Sequence, residues 1–335
     1  MRVVYSPAYH VDIGLHVFPT DKYRRVRDRL VETGVVSPSE FVEPQPATWE
    51  ELALVHTPEY LETLRAGTMT LEDVAQLELP WSPEMVEGFR LMVGGTIEAA
   101  LIACGLVHDG GTQNPQNPQN PQKASLREKI QSASSASSAL NVVAHLGGGL
   151  HHAFPNHGEG FCPFNDVAVA ARVLQSRGIE RIAIVDLDVH HGNGTAFIFE
   201  SDARVFTFSM HQQHNYPMWK PRGSLDVGLP DGEHDATYVR ELEIALPAVI
   251  AHRPQCVFYL AGADPYEDDQ LGGLRLTKAG LRQRDRLVVG AVRAANVPLV
   301  VVLAGGYARC VEDTVAIHAA TIEDAAAISR RVRST

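Results

Sequence analysis

The stretch IAIVDLDVHHGNG, residues 182–194, decides how this chain is read. Ile182, Ala183, Ile184 and Val185 form a continuous apolar run, the pattern of a parallel strand buried on both faces. Chemistry is loaded at its carboxyl end, which is where open α/β sheets bind their ligands. Asp186, Asp188 and His190 alternate, and alternate side chains of an extended segment leave from one face, so two carboxylates and an imidazole can converge on one point. Carboxylate oxygen and imidazole nitrogen together suit zinc or a similar divalent ion. His191 points the other way, and Gly192, Asn193 and Gly194 supply a turn. A lone Asp-x-His is most simply a solvated strand end, but this cluster is too dense for that.

Working outward, the 335 residues are 45% hydrophobic and 21% charged, enough to build a large α/β core. A formal net charge of −11 argues against binding to a phosphate backbone, so no direct nucleic-acid partner is expected. The start, MRVVYSPAYH, lacks the charged-then-apolar pattern of a signal peptide, and no apolar run has the length to span a bilayer. A cytoplasmic location away from membranes is therefore expected. Cys104, Cys162, Cys256 and Cys310 are scattered without a CxxC pair and read as buried thiols, with no disulfide or metal assigned to them. Residues 108–140 contain QNPQNPQNPQ and SASSASSA, which bury too little apolar area to offset their ordering entropy. They predict a disordered surface insertion in a single domain spanning 1–335.

In chain order, residues 2–5 read as a short strand and Thr20 as the cap of a helix ending at Gly34. Thr57 and Pro58 open another helix, and Ser82 and Pro83 open a long one to about Cys104, in which Gly94 and Gly95 permit close packing. Residues 142–146 read as a buried strand running into three glycines and then His151 and His152, candidates for proton transfer because histidine titrates near neutral pH. Asp166 is placed to cap a helix over 167–177. Residues 205–209 and 256–260 are further strands, with Asp264 just past the end of the second. A strand over 298–303 leads through Gly305 and Gly306 to Tyr307. Helices over 236–250, 277–295 and 312–331 cover the sheet. His234, His252 and His318 lack ligand spacing and read as surface or capping residues.

Four motifs in this order, GGGLHHAFPNHGEGFCPFND (147–166), DLDVHHGNG (186–194), AGADPYEDDQLGG (261–273) and LAGGYAR (303–309), resemble the zinc-dependent histone deacetylase family of the arginase/deacetylase fold. The opening YSPAYHVDIGLHVFPTDKYRRV (5–26) resembles its class IV branch and bacterial relatives. The resemblance implies an α/β fold of three layers, α/β/α, around a mostly parallel sheet of about eight strands. It implies Asp188, His190 and Asp264 as ligands of one zinc ion, leaving positions open for water and substrate. His152 becomes the general base and then acid, with Asn193 as its partner where some members carry Asp. Because Asn adds no negative charge, His152 is expected to be less basic here. His151, oriented by Asp186, acts mainly electrostatically, and Tyr307 donates a hydrogen bond to the oxyanion. Ala304 departs from the triple glycine of some branches.

Phe161 matches one wall of an acyl-lysine channel and Gly160 a backbone contact at its rim; Tyr216, in HQQHNYP, is placed on the opposite wall or in the core. Leu271 stands where polyamine-preferring members carry a glutamate gate, which favours a neutral acyl-lysine stem, while nearby Asp268 and Asp269 offer attraction for a cationic amine. A potassium site is implied near Asp186, Asp188, His190, Ser209 and Met210. The expected activity is removal of acetyl or another acyl group from lysine in a protein or peptide. Alternatives are an acetylpolyamine or long-chain acyl-lysine deacylase and a non-catalytic acyl-lysine binder. A binuclear manganese ureohydrolase would need further carboxylate and histidine ligands that the sequence does not offer.

Overall fold

Eight strands form one sheet in the order β2-β1-β3-β8-β7-β4-β5-β6 in the computed structural model, which describes residues 1–106 and 142–331. The strands are β1 (Arg2–Val4), β2 (Phe41–Val42), β3 (Val142–His145), β4 (Ile182–Asp186), β5 (Val205–Gln212), β6 (Leu225–Leu229), β7 (Cys256–Leu260) and β8 (Leu299–Val302). Every neighbouring pair is parallel, so the expected mostly parallel sheet is parallel throughout the described residues. The interior strands β3, β4, β7 and β8 are buried at every position, whereas the edge strand β6 alternates. That contrast follows from position: an interior strand with helices on both faces has no solvent side to place a polar residue on.

Helices form the outer layers. Pro83–Ala103 packs against Asp166–Ser176. In the other layer Lys22–Glu32, Val311–Arg331, Lys278–Ala294 and Asp235–Ala251 succeed one another as neighbours. The path of the chain places the site. After β4 it moves outward to β5 and β6, while after β7 it moves the opposite way to β8. A crevice opens between adjacent strands whose connections diverge in this way, so the carboxyl ends of β4 and β7 are where a ligand fits.

Several local expectations change. The first long helix begins at Lys22 after Asp21, and Thr20 caps nothing: its hydroxyl donates to the Val11 carbonyl at 2.8 Å. Asn165, not Asp166, caps the helix Asp166–Ser176 by accepting from the Ala168 amide. Asp166 is freed for a different task, accepting hydrogen bonds from Thr96 and from the Gly149 and Leu150 amides. Gly94 and Gly95 do permit close packing, since a Cβ at either would collide with Gln45 or with Tyr9 and His145. All four thiols are free, but Cys310 is exposed and Cys104 half-buried rather than buried. His318 is fully buried, with neither ring nitrogen hydrogen-bonded, rather than at the surface. The expected insertion at 108–140 lies outside the described residues.

Candidate active site

The sequence at the end of β4 turns out of the sheet as soon as the apolar run stops, and its polar side chains fold back over the crevice. The Asp186 carboxylate accepts the Asp188 amide at 3.1 Å, and Asp188 Oδ1 in turn accepts the His190 amide at 3.0 Å. Asp264, just beyond β7, is tied to the same turn because its Oδ1 accepts the Val189 amide at 2.9 Å. These bonds bring Asp188, His190 and Asp264 together, all buried, with one ligand atom from each lying within 4.8 Å of the others. His190 Nδ1 is 3.0 Å from Asp188 Oδ1 and 3.5 Å from Asp264 Oδ2. Among the described residues this is the one such group of three. Gly262 and Gly305 flank it because a Cβ at either position would strike these carboxylates.

The cluster fits a divalent cation on its own chemistry. Asp264 Oδ2 is buried with no hydrogen-bond partner, an arrangement that is costly unless a cation fills it. Burial, together with repulsion from Asp188, pushes the Asp264 carboxyl up to about 7. Burial also opposes ionisation of Asp188, but His151 and His190 outweigh it and hold that carboxyl well below its usual range. Two carboxylates and one imidazole are a donor set for zinc with room for further ligands.

His151 and His152 lie side by side, their ring centroids 4.0 Å apart, with different partners. His151 Nδ1 is 2.7 Å from Asp186 Oδ2, and although burial works against its charge, Asp186 and Asp188 lift it to about 9. His152 Nδ1 is 2.7 Å from Asn193 Oδ1; burial and the neighbouring His151 and His190 hold it well below the ordinary histidine value. Burial, with the charges of Asp188 and Asp264, keeps the Tyr307 phenol well above its usual value and therefore protonated. The environment separates the titratable groups into a charged and a neutral histidine and a protonated phenol, the division an acid–base site requires.

His152, Gly160, Phe161, His190 and Tyr307 line both the chamber at this cluster and a channel of about 210 Å³ that joins it. Tyr216, Leu271, Asn215 and Glu78 complete the channel walls. Phe161 stacks on Phe18 with centroids 6.2 Å apart, and the Tyr216 ring stands perpendicular to His152 at 5.0 Å. The positions offered for a monovalent cation also adjoin: Ser209 pairs with Asp186 across β4 and β5, and Met210 follows it, fully buried.

Asp269 is engaged by the backbone: its Oδ1 accepts the amides of Leu271 and Gly272 and its Oδ2 accepts the Tyr307 amide at 2.7 Å. It fixes the backbone that carries the phenol. Asp268 faces Arg309 at 3.4 Å. Sequence reasoning also missed Lys22, which is buried, donates to the Ala304 carbonyl at 2.9 Å and sits 5.6 Å from the Tyr307 ring centroid. Burial lowers that ammonium to about 8. Ala304 itself has φ +55°, a left-handed conformation that explains why glycine is natural at this position. Glu78 and Glu159, both acidic residues beside the channel, carried no local signal either.

A histone deacetylase domain matches residues 16–322. The chain belongs to the histone deacetylase family. A relative in Picosynechococcus, itself uncharacterised, is 40% identical over 94% of this chain and 95% of its own length. Histone deacetylase 2 of Arabidopsis thaliana is 29% identical over 94% of this chain and 78% of its own length. The fold is that of a crystal structure of an HDAC homologue complexed with SAHA, with a TM-score of 0.76 and 24% identity over 98% of this chain and 84% of that one. The bacterial relatives agree with the class IV-like, bacterial branch that the opening stretch resembles. Family membership and the buried Asp188-His190-Asp264 cluster together make this protein a metal-dependent amidohydrolase of the deacetylase type.

Proposed function

We propose that this protein, as one deacetylase domain, removes the acyl group from the ε-amine of acyl-lysine in a protein or peptide, with a single zinc ion held by Asp188, His190 and Asp264. The observation that carries this reading is the unpartnered Asp264 Oδ2 beside Asp188 and His190, at the inner end of a channel that Phe161, Tyr216 and Leu271 line. Zinc bound there supplies Lewis acidity to the acyl carbonyl and lowers the pKa of a water. The chain's own residues do the rest. His152, neutral before reaction, takes the water proton at the ring nitrogen that does not face Asn193 and later gives it to the leaving amine. His151, held charged by Asp186, stabilises negative charge at the centre. Tyr307 donates its phenolic proton in a hydrogen bond to the carbonyl oxygen as that oxygen becomes anionic. Phe161 and Tyr216 flank the apolar lysine stem, and Gly160 contributes backbone at the rim.

A potassium ion bound by Asp186, Asp188, His190, Ser209 and Met210, largely through carbonyls, and a cytoplasmic setting suited to four free thiols, belong to the same proposal. Leu271 favours a neutral stem, whereas Glu78 in the channel wall supports a second reading in which the substrate is an acetylated polyamine. Zinc analysis by mass spectrometry, with turnover of an acetyl-lysine peptide measured beside acetylspermidine, separates the two. Faster turnover of the peptide supports the first reading and faster turnover of the polyamine the second. Zinc-loaded protein that binds both and hydrolyses neither would be a binder.

A further inference from the structure

Asn193 is an ambiguous partner for a catalytic histidine. A carboxylate can only accept, so it enforces a proton on the facing ring nitrogen, but a carboxamide can turn either its oxygen or its NH₂ inward. With NH₂ inward, His152 would have to accept at Nδ1 and carry its proton on Nε2, the nitrogen needed to receive the water proton. The structure places a second acid where it removes this ambiguity. Asn193 Nδ2 donates to Glu159 Oε1 at 2.7 Å, and the same oxygen accepts the Tyr216 hydroxyl at 2.9 Å. Glu159 Oε2 faces Gln76 Nε2 at 3.3 Å and His157 Nε2 at 3.4 Å. The Glu159 side chain is half-buried; its bonds to Asn193 and Tyr216 are partly shielded, while the one to Gln76 lies at the surface. Burial raises the Glu159 carboxyl, but hydrogen bonds from His157, Asn193, Tyr216 and Gln76 overcome it and leave the group ionised and acceptor-only.

Building on the deacylase reading, we propose that Glu159 is a positioning residue for His152: it captures the NH₂ of Asn193, turns the amide oxygen toward His152 Nδ1, and so keeps Nε2 free to accept a proton. The carboxylate that some relatives place against the histidine is here displaced one hydrogen bond outward. Asn193 and Glu159 form a matched pair, because a carboxylate in place of the Asn193 amide would face Glu159 with no proton between the two acids. Tyr216, tied to the same oxygen, couples the channel wall to this pair.

The test uses zinc-loaded full-length protein. The variants are Glu159→Ala, Asn193→Asp, the double variant Glu159→Gln/Asn193→Asp, and Gln76→Ala, which touches only the outer oxygen. Removing such an outer partner is expected to lower turnover about tenfold to a hundredfold, so Glu159→Ala should show that loss chiefly in kcat rather than KM. Asn193→Asp alone should fall about tenfold, and the double variant should recover most of it, because the carboxamide introduced by Glu159→Gln can donate to the carboxylate introduced by Asn193→Asp. Gln76→Ala should stay within about twofold of the parent. Nitrogen-15 spectra of the His152 ring should show a proton on Nδ1 in the parent and the double variant, and a mixture of tautomers in Glu159→Ala.

A Glu159→Ala protein with parental kcat and an unchanged His152 spectrum would overturn the proposal, as would Asn193→Asp matching the double variant, or Gln76→Ala failing as badly as Glu159→Ala. If the parent protein hydrolyses neither peptide nor polyamine, the deacylase reading falls on its own, and the ring spectra still decide the role of Glu159.

Discussion

Two buried polar clusters lie beyond the carboxyl ends of parallel strands in this molecule, and they are built in opposite ways. Behind β3, the Tyr9 hydroxyl lies 2.7 Å from His145 Nε2, and His145 Nδ1 lies 3.0 Å from the Thr96 hydroxyl. Thr96 donates to Asp166 Oδ2 at 2.5 Å, and Asp166 also accepts the amides of Gly149 and Leu150 at 3.0 and 2.7 Å. Each of these side chains has found its partner inside the protein. Beyond β4 and β7, Asp188 and Asp264 face each other across His190 and leave one carboxylate oxygen with none. A saturated cluster fixes the residues that compose it; an unsaturated one holds space for a ligand. The two are mechanically joined, because the backbone that Asp166 grips leads directly into His151 and His152.

The largest effect that could break this contrast is at the open cluster. Asp264→Asn should reduce turnover by about a thousandfold or more and abolish stoichiometric zinc, because one ligand is lost and the remaining donors cannot complete the site. The same variant should make the zinc-free protein more stable, since it removes a buried charge that Asp188 repels; a destabilised zinc-free variant would contradict the unsaturated description. Chelation of the parent should lower its thermal midpoint, and added zinc should restore it. Zinc at a hundred times its Kd contributes about 2.7 kcal/mol of stability, which titration calorimetry with thermal melts can check.

At the closed cluster the order of effects should reverse. Asp166→Asn keeps the shape but replaces an acceptor of three hydrogen bonds, and is expected to cost about 2 kcal/mol in urea unfolding while zinc stoichiometry stays the same. Loss of zinc on that substitution would mean the clusters are one unit. The effect that is smallest per pH unit is a slope with pH. Burial lowers His145 to about 3, so its ring is neutral in the folded protein at pH values where the unfolded chain, near 6.5, begins to take up a proton. Stability from this ring is complete above pH 6.5 and drains away as pH falls toward 3, at up to about 1.4 kcal/mol per pH unit. The difference between parent and His145→Gln in urea midpoint should therefore change with pH below about 6.5 and be flat above it. A difference that is flat throughout would show that the ring is not held neutral.

The amino-acid sequence by itself determined the buried parallel strands, the turn of acids and imidazoles after β4, Asp264 after β7, the tandem histidines and Tyr307. The strands and the polar residues after them are legible because each rests on a local pattern, an apolar run followed within a few residues by side chains of one chemistry, whereas the roles of Asp264, the tandem histidines and Tyr307 come from the resemblance to the family. Tertiary structure alone decided what Asp166, Asp269, Lys22 and Glu159 do. Asp166 looked like a cap and proved to be a clamp on the Gly149 and Leu150 amides; Asp269, read from sequence as an attraction for a cationic amine, holds the Tyr307 amide from 38 residues away. Lys22 reaches a carbonyl 282 positions distant, and Glu159 meets Asn193 only because a loop and the first residue of the helix Asn193–Phe199 come together over the same crevice. A hydrogen bond is set by distance and direction in space, and for residues so far apart along the chain no spacing or periodicity encodes either.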